Sequence, residues 1–243
     1  MDKPQIIFED DAFMVLDKPA GWIVNSAGTT TTQPVVQAWL KDNFNFEIAK
    51  NDEFRSGVVH RLDKETSGIL LIAKTKQAFV ELQRQFKERL VKKTYLALVH
   101  GEIKDKKGEI KAAVGRLPWR RDRFGVLPGG RDAITKYEVK EVFEKDVNAS
   151  QKEKYSLVEA FPETGRTHQI RIHLKYIGHP IVSDNFYAGR KTARKDRLWC
   201  PRLFLHAYKI AFLYPETTKE IYFEVALPKE LREALHVFTH DLN

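Results

Sequence analysis

Gly57-Val58-Val59-His60-Arg61-Leu62-Asp63-Lys64-Glu65-Thr66-Ser67-Gly68-Ile69-Leu70-Leu71-Ile72-Ala73-Lys74 runs an apolar pair into a charged turn and then into a second apolar run. The pattern predicts strand, loop, strand, with Thr66-Ser67-Gly68 as the turn chemistry that permits the reversal. Such a loop presents Arg61, Asp63 and Lys64 at the end of a buried element, where a scaffold can hold a reactive side chain still. Asp63 is the loop carboxylate whose neighbours both flanking strands could pin. Pattern alone leaves two readings open: carboxylate chemistry at Asp63, or an Asx turn or surface ion pair with Arg61.

The 243 residues leave ample room for a core, and 42% hydrophobic with 30% charged residues is a globular balance, not a disordered one. Lysine and arginine number 41 against 33 acidic residues, and the resulting +8 suits a polyanionic partner, most simply nucleic acid. A single cysteine, Cys200, excludes an intramolecular disulfide and any cysteine-based zinc cluster. The chain has no apolar run of membrane-spanning length, and Met1-Asp2-Lys3-Pro4 opens no signal-peptide core, so a soluble, cytoplasmic protein is expected.

Outward from the opening stretch, Gln5 to Phe8 and Phe13 to Leu16 read as a β-hairpin. Thr29 to Thr32 offer capping hydroxyls, Pro34 suits a first helical turn, and Val36, Trp39 and Leu40 recur at helical spacing. Phe79, Leu82, Phe86 and Leu90 share one face of a helix from about Lys76 to Leu90, and Thr94 to Val99 alternates like a strand. From Gly115 to Arg131, five arginines face one aspartate, with Trp119 and Phe124 interleaved. Pro118, Pro128, Gly129 and Gly130 predict a flexible loop there, suited to backbone contact and base stacking on RNA. Ala133 to Val142 resumes a strand, Glu144 to Lys154 reads as an exposed polar connection, and Tyr155 to Phe161 alternates again.

After the turn Glu163-Thr164-Gly165-Arg166, Thr167 can cap a helix whose apolar face is Ile170, His173, Leu174 and Ile177. Arg171 lies off that stripe in the first turn, where it could reach an anion at the helix N-terminus. His168 and His173, five apart, face different sides with no third ligand nearby, so no metal site is expected. Arg190 to Arg202 form a second basic stretch suited to phosphates, on what reads as a loop. Tyr222 to Val225 reads as a strand, and Pro228 opens a last helix with Leu231, Leu235 and Phe238 on one face.

His60-Arg61-Leu62-Asp63 with Thr66-Ser67-Gly68 resembles the signature of the RluA family of pseudouridine synthases. Further segments are similar to the same family: Lys18-Pro19-Ala20-Gly21, Lys93-Thr94-Tyr95-Leu96-Ala97, Thr164 to Arg171, Pro180-Ile181 with Asp184, and Leu203 to Ala207. Two departures stand out: Asn25 lies near the family's usual histidine, and Ser183 stands where glycine is usual. The resemblance implies that Asp63 is the catalytic residue, that Arg171 pairs with it and that Tyr95 lines the site and stacks on the uracil. It further implies that Arg61 fills the space of a flipped base, with His60, Arg120, Arg121, Arg123 and Arg166 also contacting substrate and His206 structural.

The implied reaction moves C1′ of uridine from N1 to C5; it oxidises, reduces and hydrolyses nothing, so no cofactor and no metal is expected. A guanidinium beside the carboxylate keeps it charged and sets its direction. The target must leave its stack, at a cost of a few kcal/mol that phosphate contacts and stacking offset. The fold implied is α+β: the pseudouridine synthase fold, a mixed, largely antiparallel central sheet crossed by a cleft, with helices outside. Residues 1–243 are expected to form a single catalytic domain without a separate N-terminal RNA-binding domain, monomeric and acting on a ribosomal or transfer RNA stem-loop. A carboxylate glycosidase would need a second acid or base, and none stands out beside Asp63. A non-catalytic RNA-binding module is the other alternative; it accounts for the charge but not for Asp63 and Arg171 both falling in family motifs.

Overall fold

A computed structural model describes residues 2–26, 32–148, 151–217 and 219–238, with the backbone alone at 121, 147, 148 and 151. In chain order the strands are β1 (Gln5–Glu9), β2 (Phe13–Lys18), β3 (Ser67–Ala73), β4 (Lys92–His100), β5 (Lys107–Lys111), β6 (Val114–Leu117), β7 (Arg120–Val126), β8 (Ile134–Asn148), β9 (Gln151–Pro162), β10 (Leu205–Leu213) and β11 (Glu220–Glu224). The helices are α1 (Val36–Asn43), α2 (Lys76–Lys87), α3 (Gln169–Tyr176), α4 (Arg190–Asp196) and α5 (Lys229–His236). The backbone divides into two compact units, Met1–Lys93 with Ala207–Val225, and Thr94–His206 with Ala226–Asn243.

In the first unit the expected N-terminal hairpin is present, β1 against β2, and β2 runs antiparallel to β3 from Phe13↔Ala73 to Lys18↔Gly68. Every residue of β3 is buried, which is why its sequence is a continuous apolar run and not an alternation. Phe13, Val15, Ile69, Leu71 and Ala73 join Ala78 and Leu82 of α2 and Phe212 of β10 in one core. Gly68 takes φ +111°, and a Cβ there would stand 2.3 Å from the Ala207 carbonyl, so only glycine fits the approach to β10. Gln85 of α2, fully buried, pairs its amide with both backbone groups of Leu213 at 2.8 Å.

Three expectations for this unit change. Val58-Val59 forms no strand; a tight turn with positive φ at Arg55, Ser56 and Gly57 precedes it, leaving a single bridge, Val58↔Ile72. The reversal sits at Asp63–Thr66, closed by the Thr66 N–H to the Asp63 carbonyl at 3.1 Å, and Ser67 and Gly68 already belong to β3. α1 begins after Pro34, with Val35 as its cap and no side-chain cap bond; of the threonines expected to cap it, 29–31 lie outside the described residues.

In the second unit β9 lies between β4 and β8, with β5 on the far side of β8, all antiparallel. Ala97, Leu98, Val99, Val158 and Ala160 pack with Ile170 and Leu174 of α3 and Leu231 and Ala234 of α5. The connection expected at Glu144 to Lys154 is instead a continuation of β8 and β9. Its hydrophobic period is missing because charges pair across the strands, Glu144↔Lys154 and Asp146↔Lys152, where both faces meet solvent. The loop expected at Gly115 to Arg131 contains a hairpin, β6 with β7, in the register Val114↔Val126 and Arg116↔Phe124. Pro118 and Trp119 lie at its tip, where a missing N–H costs no ladder bond. The second basic stretch is likewise part helix, α4.

Candidate active site

Asp63, Arg61 and His60 belong to the first unit, and Tyr95, Arg171, Arg120, Arg121, Arg123 and Arg166 to the second. Asp63 is half-buried and Arg61 exposed. The Lys64 carbonyl, next to Asp63, accepts from the Gly21 N–H at 2.7 Å and from Lys18 Nζ at 3.4 Å. Lys18 is fully buried and also donates to the carbonyls of Pro19 at 2.9 Å and Trp22 at 3.1 Å. One ammonium thus ties the Lys18-Pro19-Ala20-Gly21 turn to the Asp63 loop, joining Lys18 to a residue 46 positions further along the chain. A charged residue at a strand end gave no sign of this role, because lysine there ordinarily faces water.

α2 holds the approach to the same loop. Gln83 donates its side-chain amide to the Val59 carbonyl, and the His60 ring stacks on Phe86 with centroids 4.8 Å apart. The Leu71 N–H of β3 donates to His60 Nε2 at 2.9 Å, which places the ring proton on Nδ1. Burial, and after it the nearby Lys93 charge, lowers the His60 pKa to about 3, so the ring is neutral. Burial also pushes the Lys93 ammonium down to about 8. His60, expected to contact substrate, has its acceptor nitrogen spent on the fold.

In the second unit Tyr95 stands half-buried on β4 opposite Ala160. The turn before α3 is organised by Gln169: its Oε1 accepts from Thr164 Oγ1 at 2.7 Å and from the Arg166 N–H at 3.0 Å, and its Nε2 reaches the Ile134 carbonyl at 2.9 Å. The cap of α3 is His168 in the left-handed region, not Thr167, and it makes no side-chain cap bond. Its Nδ1 instead meets the Tyr187 hydroxyl at 2.9 Å. His173 is fully buried, with Nε2 on the Ala112 carbonyl and Nδ1 on Thr135 Oγ1, both at 2.9 Å; burial lowers its pKa. Among the described residues no group of three or more His, Cys, Asp or Glu could hold a metal ion.

Arg171 is buried, not at the helix surface. Asp184, also buried, takes Arg171 Nε and Nη2 at 2.8 Å each in a fork-to-fork pair. The guanidinium carbon lies 5.4 Å from the Phe186 ring centroid and 5.2 Å from that of Tyr187. Ser183, at the usual glycine position, adopts φ +61° and is held there by its Oγ donating to the Cys200 carbonyl and its N–H donating to Asp196. Asp184 was visible in the sequence as a motif match, but its fork with Arg171 was not. Thirteen residues and a turn separate them, and no helical period predicts that contact.

The β6–β7 hairpin packs on the start of α3 through Val114, Val126, Ile172 and Tyr187, and Phe124 meets His168 edge-on. Arg123 donates Nη1 to the Phe186 carbonyl at 2.8 Å. Arg120 pairs with Asp122 at 3.2 Å on the surface, and Arg166 Nε reaches the Asp132 carbonyl at 3.2 Å. Arg121 lies on β7, with its side chain outside the described residues. Among the described residues no helix is long and apolar enough to cross a membrane.

Residues 12–176 match the family described as RNA pseudouridylate synthase. The chain is 38% identical over 235 residues to ribosomal large subunit pseudouridine synthase D of Nitrosomonas europaea, covering 95% of this chain but 64% of that protein. It is 36% identical to the uncharacterized RNA pseudouridine synthase YlyB of Bacillus subtilis, covering 95% of this chain and 71% of the relative. Human RNA pseudouridylate synthase domain containing 1 superposes with a TM-score of 0.70 at 28% identity, over 95% of this chain and 87% of that one. Human RNA pseudouridylate synthase domain containing 4, at 21% identity and a TM-score of 0.69, shares the fold.

Proposed function

The chain belongs to the RNA pseudouridylate synthase family, and on that premise we propose that it isomerises uridine to pseudouridine in RNA with Asp63 as the nucleophile. The observation that carries the reading is that Asp63, Tyr95 and Arg171 all fall inside the matched residues 12–176. Support for Asp63 also comes from its loop: the adjoining carbonyl is tied by a buried ammonium and a backbone N–H, so the carboxylate stands on a stiff support while remaining half-open to solvent.

In this reading the target nucleotide leaves its stack and Arg61 fills the space. Asp63 attacks the nucleoside, the C1′–N1 bond breaks, the uracil turns, and C1′–C5 forms; the bond to Asp63 breaks and releases the carboxylate, the hydrogen leaves C5 as a proton and a proton is gained at N1, so atoms and charge balance. Arg171 serves to orient the carboxylate, and Tyr95 stacks on the uracil and helps remove the C5 hydrogen. Arg120, Arg121, Arg123 and Arg166 supply phosphate contacts. His60 acts by shaping the loop, since its acceptor nitrogen is already engaged. Ribosomal RNA is the first substrate to try, because the Nitrosomonas europaea relative is named for the large ribosomal subunit; transfer RNA is the second.

The test incubates the purified chain with ribosomal and transfer RNA and reads both pseudouridine and RNA mass. New pseudouridine at unchanged mass is expected, whereas released free uracil would establish a glycosidase instead. Asp63→Asn is expected to lower turnover by a factor on the order of 10⁴ while RNA binding persists. Turnover at the unaltered level in that variant would remove Asp63 from the mechanism.

A further inference from the structure

Phe186 stands on the turn 185–188, 36% exposed, with two guanidinium carbons near its ring: Arg171 at 5.4 Å and Arg123 at 5.5 Å from its centroid. Its backbone is held as firmly as its ring. The Arg123 guanidinium donates to the Phe186 carbonyl, and Asp184 Oδ1 accepts the N–H groups of Phe186 at 2.9 Å and Tyr187 at 3.1 Å. The same Asp184 carboxylate receives Nε and Nη2 of Arg171. Carboxylate, turn and ring therefore form one clamp around the Arg171 guanidinium, and Arg123 of β7 grips the clamp from the hairpin side.

An aliphatic side chain could fill this space, but it would offer neither cation anything. An aromatic ring attracts both through its quadrupole. Leaving a large apolar ring over a third exposed makes little sense as core packing. We propose that Phe186 is a positioning residue, linking Arg123 of the basic hairpin to Arg171 so that the hairpin's hold on RNA sets the place of the guanidinium. The inference rests on Arg171 acting in the reaction proposed above.

The test uses the full chain with Phe186→Leu, which keeps apolar bulk, and Phe186→Tyr, which keeps the ring. On RNA, Phe186→Leu is expected to lower kcat roughly three- to tenfold with KM within about twofold, and Phe186→Tyr to restore kcat. A readout independent of turnover is hydrogen exchange at Arg171 Nε, followed by NMR: severalfold faster in Phe186→Leu and at the original rate in Phe186→Tyr. Arg123→Gln should accelerate the same exchange, and the double variant should exchange no faster than Phe186→Leu alone. Unchanged exchange in Phe186→Leu, failure of tyrosine to rescue, or additive effects in the double variant would each overturn the proposal. If the chain made no pseudouridine on any RNA yet the exchange pattern held, the functional reading would fall while the clamp stood.

Discussion

Lys18 and Asp184 are single side chains on which the two halves of the candidate chemistry depend. Lys18 is a fully buried cation whose ammonium donates to three carbonyls, one of them beside Asp63. Lys18→Met keeps the length and removes the donors, leaving those carbonyls without that ammonium. The expected loss is about 1–3 kcal/mol in urea unfolding, together with a fall in kcat that exceeds any change in KM. Unaltered kcat in a folded Lys18→Met protein would show that the Asp63 loop holds itself. Asp184 makes the same point for Arg171, since a lysine at 171 could not reproduce the two-pronged contact at Nε and Nη2. The residues proposed for this chemistry stand in motifs that the family resemblance picks out, but their supports were not legible, because a buried lysine and a surface lysine are written with the same letter.

Among the elements, the β6–β7 hairpin departs furthest from its sequence pattern. Arginine-rich, with Pro118 in it and Pro128, Gly129 and Gly130 just beyond, it reads as irregular, yet Val114 and Val126 pack it on Tyr187 and Ile172. Stacking of Arg116 on Phe124, 5.1 Å from the ring centroid, and the Arg120–Asp122 pair hold side chains that would otherwise repel. Trp119 at the tip is 71% exposed, a natural surface for an unstacked base. Changing Arg120, Arg121 and Arg123 together to glutamine is expected to weaken RNA binding and to flatten its salt dependence, read by titration at several ionic strengths. The slope should fall by about one unit for every phosphate that these side chains neutralise. An unchanged slope would mean that these arginines touch no phosphate. The arms of β8 and β9 beyond Glu144 are the converse case: strands whose paired charges hide their alternation from a hydrophobic count.

For the chain as a whole, pH is the informative variable. His60 has a pKa near 3 and His173 one below its ordinary value, both chiefly through burial. Between about pH 6.5 and these lower values the unfolded chain binds protons that the folded chain refuses, so stability is complete above that window and declines as pH falls. The slope is at most about 1.4 kcal/mol per pH unit for each histidine, reduced where solvent reaches the ring. His60→Gln, whose amide oxygen can still accept from Leu71, should lose less stability between about pH 7.5 and 4.5 than the unaltered chain, as judged from urea midpoints at the two values. Equal losses would place the acid sensitivity elsewhere.

By itself the sequence determined the α+β alternation, the apolar runs that became β2 and β3, the positions of Asp63, Tyr95 and Arg171 within recognisable motifs, and the basic surplus. These are properties of composition and short spacing, which local chemistry settles. Folding alone turned Lys18 inward, closed Asp184 on Arg171 and set Phe186 against two guanidiniums. Each of those depends on which segments a fold brings side by side, and desolvation acts on neighbours in space, whatever their distance along the chain.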